Sequence, residues 1–114
     1  MRRVIIYLFV ISFSFQSIAQ NRTIDSLISS IKSSRVDSNI YKTALELGRV
    51  YRDSAFDKAL IYFKKALDAA EKSSDRKKVA NVYHQIGYMY QIKGEFSTAL
   101  TNYNNALEIH EYLN

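Results

Sequence analysis

Two stretches of the chain carry the same kinds of residue at nearly the same spacing, and this internal repeat constrains the fold more than any other feature. Each contains a Gly with a Tyr three positions after it, followed by two Ala-Leu pairs that flank an aromatic residue. The first copy reads Ala44-x2-Leu47-Gly48-x2-Tyr51 and Ala59-Leu60-x2-Phe63-x2-Ala66-Leu67; the second reads Tyr83-x2-Ile86-Gly87-x2-Tyr90 and Ala99-Leu100-x2-Tyr103-x2-Ala106-Leu107. The two glycines are 39 residues apart. Such a period predicts a stack of similar structural units.

The pattern resembles the tetratricopeptide repeat, in which an aromatic residue, a Leu-Gly pair and a Tyr on one helix precede Ala-x3-Phe on the next. The resemblance covers about residues 36–113. It implies an all-α fold, a short right-handed α-solenoid of antiparallel helical hairpins with about two repeat units and an N-terminal helix. It also implies a non-enzymatic scaffold that binds a protein or peptide partner.

Three features depart from that pattern. The chain has no Pro, and Ala44 stands where the repeat has an aromatic residue. The period exceeds the usual 34 residues by about five. We expect residues 72–78, between the two repeats, to hold most of the extra length.

The N-terminus has the pattern of a secretory signal peptide at residues 1–19. Arg2 and Arg3 precede an apolar run over residues 4–15, and Ala19 follows at the position that a signal peptidase reads. The run is shorter than the ~20 residues that span a bilayer as a helix. We therefore expect export to the periplasm or the exterior. An uncleaved signal that anchors the chain in a membrane is the alternative.

Composition excludes several classes of function. The net charge is +5 at pH 7, but two of the 16 basic residues lie in the signal pattern and the others are interleaved with acids, so we expect no nucleic-acid partner. The chain has no Cys, which excludes disulfides and thiolate metal sites. His84 and His110 lie 26 residues apart without an evident third ligand, and no nucleophile or phosphate-loop motif occurs. We expect no metal, cofactor or enzymatic activity.

Apolar residues at helical spacing predict five helices, over residues 23–33, 38–52, 56–72, 76–93 and 95–112. Thr23 is the expected N-cap of the first helix. Ser54 is the expected N-cap of the third, with Asp57 three residues later completing the capping signal. Gly94 is expected to end the fourth.

The sequence predicts four segments: the signal at 1–19, an N-terminal helix at 20–35, and repeats at 36–74 and 75–114. Ile24, Leu27 and Ile28 fall in register with the second helix of the first repeat. The N-terminal helix is therefore interpreted as a capping helix or a degenerate half-repeat. An amphipathic helix with accidental register is the alternative.

The resemblance implies that the first helix of each hairpin lines a concave groove. Residues on the presumed open faces of these helices are spaced i, i+3, i+7 and i+10, so each set shares one side. The groove candidates are Lys42, Leu45, Arg49 and Arg52 on one helix, and Asn81, His84, Tyr88 and Gln91 on the other. This basic, aromatic strip suits an extended or helical peptide with acidic groups.

Two further hypotheses remain open. The chain is the N-terminal sensory part of a longer membrane-bound signalling protein, either a sensor kinase or a transcriptional regulator. Alternatively, it is a small scaffold that self-associates through its C-terminal helix, where Leu100, Tyr103, Leu107 and Tyr112 are expected to form an uncovered apolar strip.

Overall fold

The structure, a computed structural model, describes residues 19–32 and 37–113. Within these ranges it contains five α-helices and no β-strand. Helix α1 covers residues 19–32, and it is followed by α2 (Asp37–Tyr51), α3 (Phe56–Lys72), α4 (Arg76–Lys93) and α5 (Phe96–Leu113). The predicted all-α fold is confirmed, and the limits of α3 and α4 are those that the sequence predicts.

The helices from α2 onward form two hairpins joined in sequence. Helix α2 packs along α3, α4 packs along α5, and α3 packs against α4. Because the connections are only two to four residues long, consecutive helices run antiparallel. Only residues 73–75 separate α3 from α4, which are the bounds that the sequence predicts. Helix α3 has 17 residues and α4 has 18.

Small side chains dominate the core of the hairpin stack. Half of the buried hydrophobic residues that the structure describes are alanines, among them Ala44, Ala59 and Ala66. The main cluster joins α2, α3 and α4, and Ile31 of α1 packs against it. Because alanines bury little area, the helices must approach closely for the core to exclude water.

Gly48 marks the closest approach within the first hairpin. A methyl group at this position would lie 2.5 Å from Cε1 of Phe63, whose ring is fully buried. In the second hairpin, a methyl group at Gly87 would lie 2.9 Å from the ring of Tyr103. Each glycine therefore forms the flat surface on which an aromatic ring of the next helix rests.

The ends of the helices correct two predictions and confirm a third. Thr23 lies inside α1, where its hydroxyl donates to the carbonyl of Ala19, so it is not the N-cap. Ser54 is not the N-cap of α3, because Ala55 occupies that position without a side-chain cap. Gly94 ends α4 in the left-handed conformation with φ 85°, as predicted.

Asp75 is the N-cap of α4, which the sequence predictions missed. Its carboxylate accepts a hydrogen bond from the backbone N–H of Lys78. Beside it, Ser74 has φ 56°, a left-handed conformation that closes the end of α3. The backbone N–H of Asp75 donates to the carbonyl of Ala70, so the turn satisfies a carbonyl that the helix leaves unpaired.

Of the predicted signal, residues 1–18 lie outside the described part of the chain. None of the described helices is long and apolar enough to cross a membrane. The predicted division into an N-terminal helix and two repeats stays a prediction.

Gly48→Ala is expected to destabilise the protein, although Ala is favoured over Gly in a helix by about 1 kcal/mol. The buried Phe63 ring has no room to move, so the helices must separate, at a cost of about 1–3 kcal/mol. Urea unfolding followed by circular dichroism measures the change. Gly87→Ala is the matched control and should cost less, because Tyr103 is only partly buried and can shift. A higher midpoint for Gly48→Ala would contradict the assigned contact, because helix propensity would then outweigh any packing cost.

Ser74→Gly is expected to raise the free energy of unfolding by about 0.5–1 kcal/mol. A left-handed conformation costs an L-residue about 1–2 kcal/mol, and glycine avoids most of that cost. Gly94 is the other left-handed position that the structure describes. Gly94→Ala should lower the melting temperature, because alanine bears the conformational cost that glycine avoids. If Ser74→Gly lowered stability, the strain assigned to Ser74 would be wrong.

Candidate functional site

The predicted groove residues lie on α2 and α4, and seven of the eight are at least partly accessible. Lys42 and Arg49 on α2 are exposed, as are His84 and Gln91 on α4. The prediction for Leu45 is wrong, because its side chain is only 7% exposed. The remaining candidates, Arg52, Asn81 and Tyr88, are at least partly accessible. We call the seven accessible residues the α2/α4 face.

Leu45 belongs to the core cluster that also contains Val82, Ile86 and Met89 of α4. In a stack of hairpins, the first helix of a repeat is covered both by its own hairpin and by the next. Helical periodicity alone does not show the second contact. His84, which occupies the position of Leu45 in the second repeat, is exposed and polar.

Tyr41 on α2 connects this helix to α4 near one end of the face. The side-chain amide of Asn81 donates to the Tyr41 hydroxyl at 3.0 Å, and Nζ of Lys78 lies 5.1 Å from the centre of the same ring. Asn81 is thus already hydrogen-bonded through one donor, and its remaining polar groups and the Lys78 ammonium group border the face. Neither Tyr41 nor Lys78 was among the sequence candidates.

Arg52 connects α2 to α4 near the other end. Its guanidinium carbon lies 5.2 Å from the centre of the Tyr88 ring, and its Nε pairs with the carboxylate of Asp53 at 3.4 Å. Arg49 makes a longer ion pair with Glu46, at 3.8 Å between largely exposed groups. Exposed pairs of this kind contribute at most about 1 kcal/mol, so both cations can exchange partners readily.

Tyr103 of α5 contacts two of the candidates on α4. Its hydroxyl donates to Oε1 of Gln91 at 2.6 Å, and its ring lies 5.3 Å from that of His84. Burial, with a smaller contribution from Tyr88, raises the pKa of Tyr103 above its ordinary value. The hydroxyl is protonated at neutral pH, as an ordinary tyrosine is, and its hydrogen is the one donated to Gln91. The sequence analysis assigned Tyr103 only a packing role.

The charge on the α2/α4 face is mainly positive. The face contributes Lys42, Arg49 and Arg52, and Lys78 borders it. The acids Glu46, Asp53 and Asp75 pair with Arg49, Arg52 and Lys78, respectively. Helix α4 carries three basic residues in its first turn and Lys93 in its last, and its sequence has no acid. This surface is chemically suited to a partner that carries carboxylates.

A cleft of about 290 Å³ adjoins the Arg52 end of the face. Phe56, Met89 and Ile92 are among its apolar lining residues, and Arg52, Asp53 and Lys93 are its charged ones. Nζ of Lys93 lies 4.3 Å from the centre of the Phe56 ring. The cleft can receive one apolar side chain next to two cations.

A second cleft, of about 490 Å³, lies away from the predicted residues, where the end of α3 meets α4 and α5. Glu71, Arg76, Tyr83 and Glu108 are among its lining residues, so it mixes both signs of charge. No three His, Asp or Glu side chains group as a metal-ligand set anywhere in residues 19–32 and 37–113.

Residues 39–111 match the tetratricopeptide repeat family, and the two described hairpins lie almost wholly within that range. The chain belongs to the tetratricopeptide repeat family. This repeat is a non-catalytic module that mediates protein–protein interaction. At the level of the family, the prediction of a binding scaffold rather than an enzyme is therefore supported.

The chain is also similar to the uncharacterized protein ycf37 of Guillardia theta, with 32% identity over 112 residues. The match covers 94% of this chain and 60% of the relative. The chain thus spans less than two thirds of the length of that relative. No solved structure matches this chain.

Proposed function

We propose that the protein binds an acidic polypeptide segment along the α2/α4 face. The observation that carries this proposal is the arrangement of cations around two tyrosines that bridge α2 and α4. Lys78 lies near the ring of Tyr41, and Arg52 lies against Tyr88. Cations held on aromatic rings lose less side-chain entropy when they pair with a carboxylate, because they are already partly ordered.

An extended or helical segment fits this face better than a globular partner of high affinity. The exposed hydrogen-bonding groups lie in a row along α4, and Tyr88, 38% exposed, offers one aromatic surface among them. The cleft beside Arg52 can receive an apolar anchor side chain. The proposed ligand is therefore a segment with carboxylates around one bulky apolar residue, a combination that uses both the charges and the cleft.

We also propose that the protein is exported. The support is the sequence pattern of residues 1–19, and cleavage after Ala19 would leave α1 with all but its first residue. The proposed ligand would then be a polypeptide outside the cytoplasm.

Peptides selected from a random dodecapeptide library on the immobilised protein are expected to be rich in Asp and Glu around an apolar residue. Arg49→Glu combined with Arg52→Glu should weaken binding of a selected peptide by about tenfold or more, since the loss of two exposed ion pairs near 0.7 kcal/mol each suffices. Fluorescence anisotropy of the labelled peptide measures the affinity.

The matched control is Lys64→Glu combined with Lys65→Glu on α3, which makes the same change in net charge at two exposed positions outside the face. It should retain most of the affinity, and both variants should keep their helical circular dichroism. Equal losses in the two variants would show that net charge, not the α2/α4 face, determines binding. Selected peptides without an excess of acids would contradict the proposed ligand chemistry.

Expression in the natural host tests export separately. Intact-mass measurement should find a mature chain that begins at Gln20, because Ala19 is the residue expected before the cleavage site. An Ala19→Arg variant should accumulate with residues 1–19 attached, since signal peptidases require a small residue there. Intact Met1 on most wild-type molecules would rule out cleavage.

A further inference from the structure

The second cleft, which we call the α3/α5 cleft, lies where the end of α3 meets α4 and α5. Its volume of about 490 Å³ is within the roughly 300–1,000 Å³ that is typical of ligand pockets. Val79, Tyr83 and Ile109 are its apolar and aromatic lining residues. Ile109 belongs to the smaller core cluster, and Val79 and Tyr83 pack against that cluster. These three side chains are therefore held in place by packing before a ligand binds.

The charged lining residues of the α3/α5 cleft are Glu71, Arg76 and Glu108. Five ion pairs join residues in the described part of the chain, and none of them includes a residue that lines the cleft. Lys72, which follows Glu71 in the sequence, pairs with Asp68 at 2.9 Å. A ligand cation can therefore pair with the two lining carboxylates without displacing a cation of the protein.

The guanidinium group of Arg76 lies against an aromatic ring instead of a carboxylate. Its central carbon is 5.6 Å from the centre of the Tyr112 ring. Glu71 lies in the last turn of α3, where the helix dipole also favours a positive charge. The lining residues carry two negative charges and one positive charge. The cleft is thus complementary to a ligand with a net positive charge.

We propose that the α3/α5 cleft binds a basic side chain, Lys or Arg, of a polypeptide partner. The terminal cation pairs with the carboxylates of Glu71 and Glu108. The alkyl part of the side chain lies on Val79 and Ile109, as the stems of long basic side chains do on apolar surfaces. The source is a polypeptide rather than a free amine, because tetratricopeptide repeats mediate protein–protein interaction.

The α3/α5 cleft and the α2/α4 face lie on different sides of α4. Tyr83 of the cleft and Asn81 of the face are two positions apart, so their side chains project about 160° apart around the helix. The two surfaces also differ in charge, because the face is mainly basic. Binding of a basic side chain in the cleft therefore does not depend on binding of an acidic segment at the face.

NMR titration of the ¹⁵N-labelled 114-residue chain with Nα-acetyl-lysine methylamide tests the ligand chemistry. We expect saturable shifts of the amide signals of the lining residues. Nα-acetyl-norleucine methylamide, which lacks only the amino group, should bind at least about tenfold more weakly. Equal affinities of these two compounds, or no saturable shift with the lysine compound, would overturn the proposal.

A third compound, n-butylamine, distinguishes a polypeptide from a free amine. It carries the same cation and alkyl stem without a backbone. The lysine compound should bind more tightly, because its backbone amides add contacts in a cleft of this size. Equal affinities of the two amines would assign the cleft to free amines and overturn the polypeptide source.

Glu71→Gln combined with Glu108→Gln should weaken binding of the lysine compound by about tenfold or more, because the cation loses both carboxylates. The matched control is Asp57→Asn combined with Glu95→Gln. These acids are exposed near the other ends of α3 and α5, and the change in net charge is the same. The control should change the affinity less than about twofold. Equal losses in the two variants would show that net charge determines binding and would overturn the site.

Arg76→Gln is expected to strengthen binding of the lysine compound by about twofold or more, because it removes the positive charge from the lining residues. Lys77→Gln is the matched control, since Lys77 is exposed at the next position and is not a lining residue. It should have a smaller effect. An unchanged or lower affinity in Arg76→Gln would overturn the assigned charge complementarity.

Discussion

The contact between an aromatic ring and a helical glycine sets the spacing on which the rest of the structure depends. The Phe63 ring rests where Gly48 has no side chain, and Tyr103 rests on Gly87 in the same way. Because the core consists largely of alanines, it closes only when the helices approach this closely. The glycines lower helix propensity, and the packed rings outweigh that cost.

Burial then falls along the stack, from the first hairpin to the second. Phe63 is fully buried and Tyr103 only partly, although the two occupy the same place in their repeats. The two helices of the second repeat differ in the polarity of their exposed side chains. Helix α4 carries polar side chains at its open positions, whereas α5 keeps the leucines of the first repeat. Within one hairpin, α4 therefore presents a hydrogen-bonding surface and α5 an apolar one.

Most of the fold could be predicted from the sequence because its signals are local and occur twice. The spacing of the apolar residues and the position of Gly94 predicted the ends of α4. The repeated Gly and Ala positions indicated that the helices pack closely. The N-caps were less predictable, since Thr23, Ser54 and Asp75 are all acceptable capping residues and only the course of the backbone selects among them.

The candidate site was predictable only in part, because its contacts are not local. The positions on α2 and α4 followed from helical spacing, but Leu45 is buried in a cluster that includes residues of α3 and α4. The links from Tyr41 to Asn81 and from Tyr103 to Gln91 likewise join different helices. An aromatic residue that serves both packing and hydrogen bonding carries no sequence signal that separates the two roles.

The short turns between neighbouring helices also determine how the chain reaches its fold. Each helix packs mainly on the one before or after it in sequence, so few contacts require the closure of a long loop. Chains dominated by such local contacts cross their folding barrier quickly. The sequence also contains no Pro and no Cys, which removes two slow steps of folding, the isomerisation of prolyl peptide bonds and disulfide exchange. A chain built this way can regain its structure quickly after it has been unfolded, without a catalyst for either slow step.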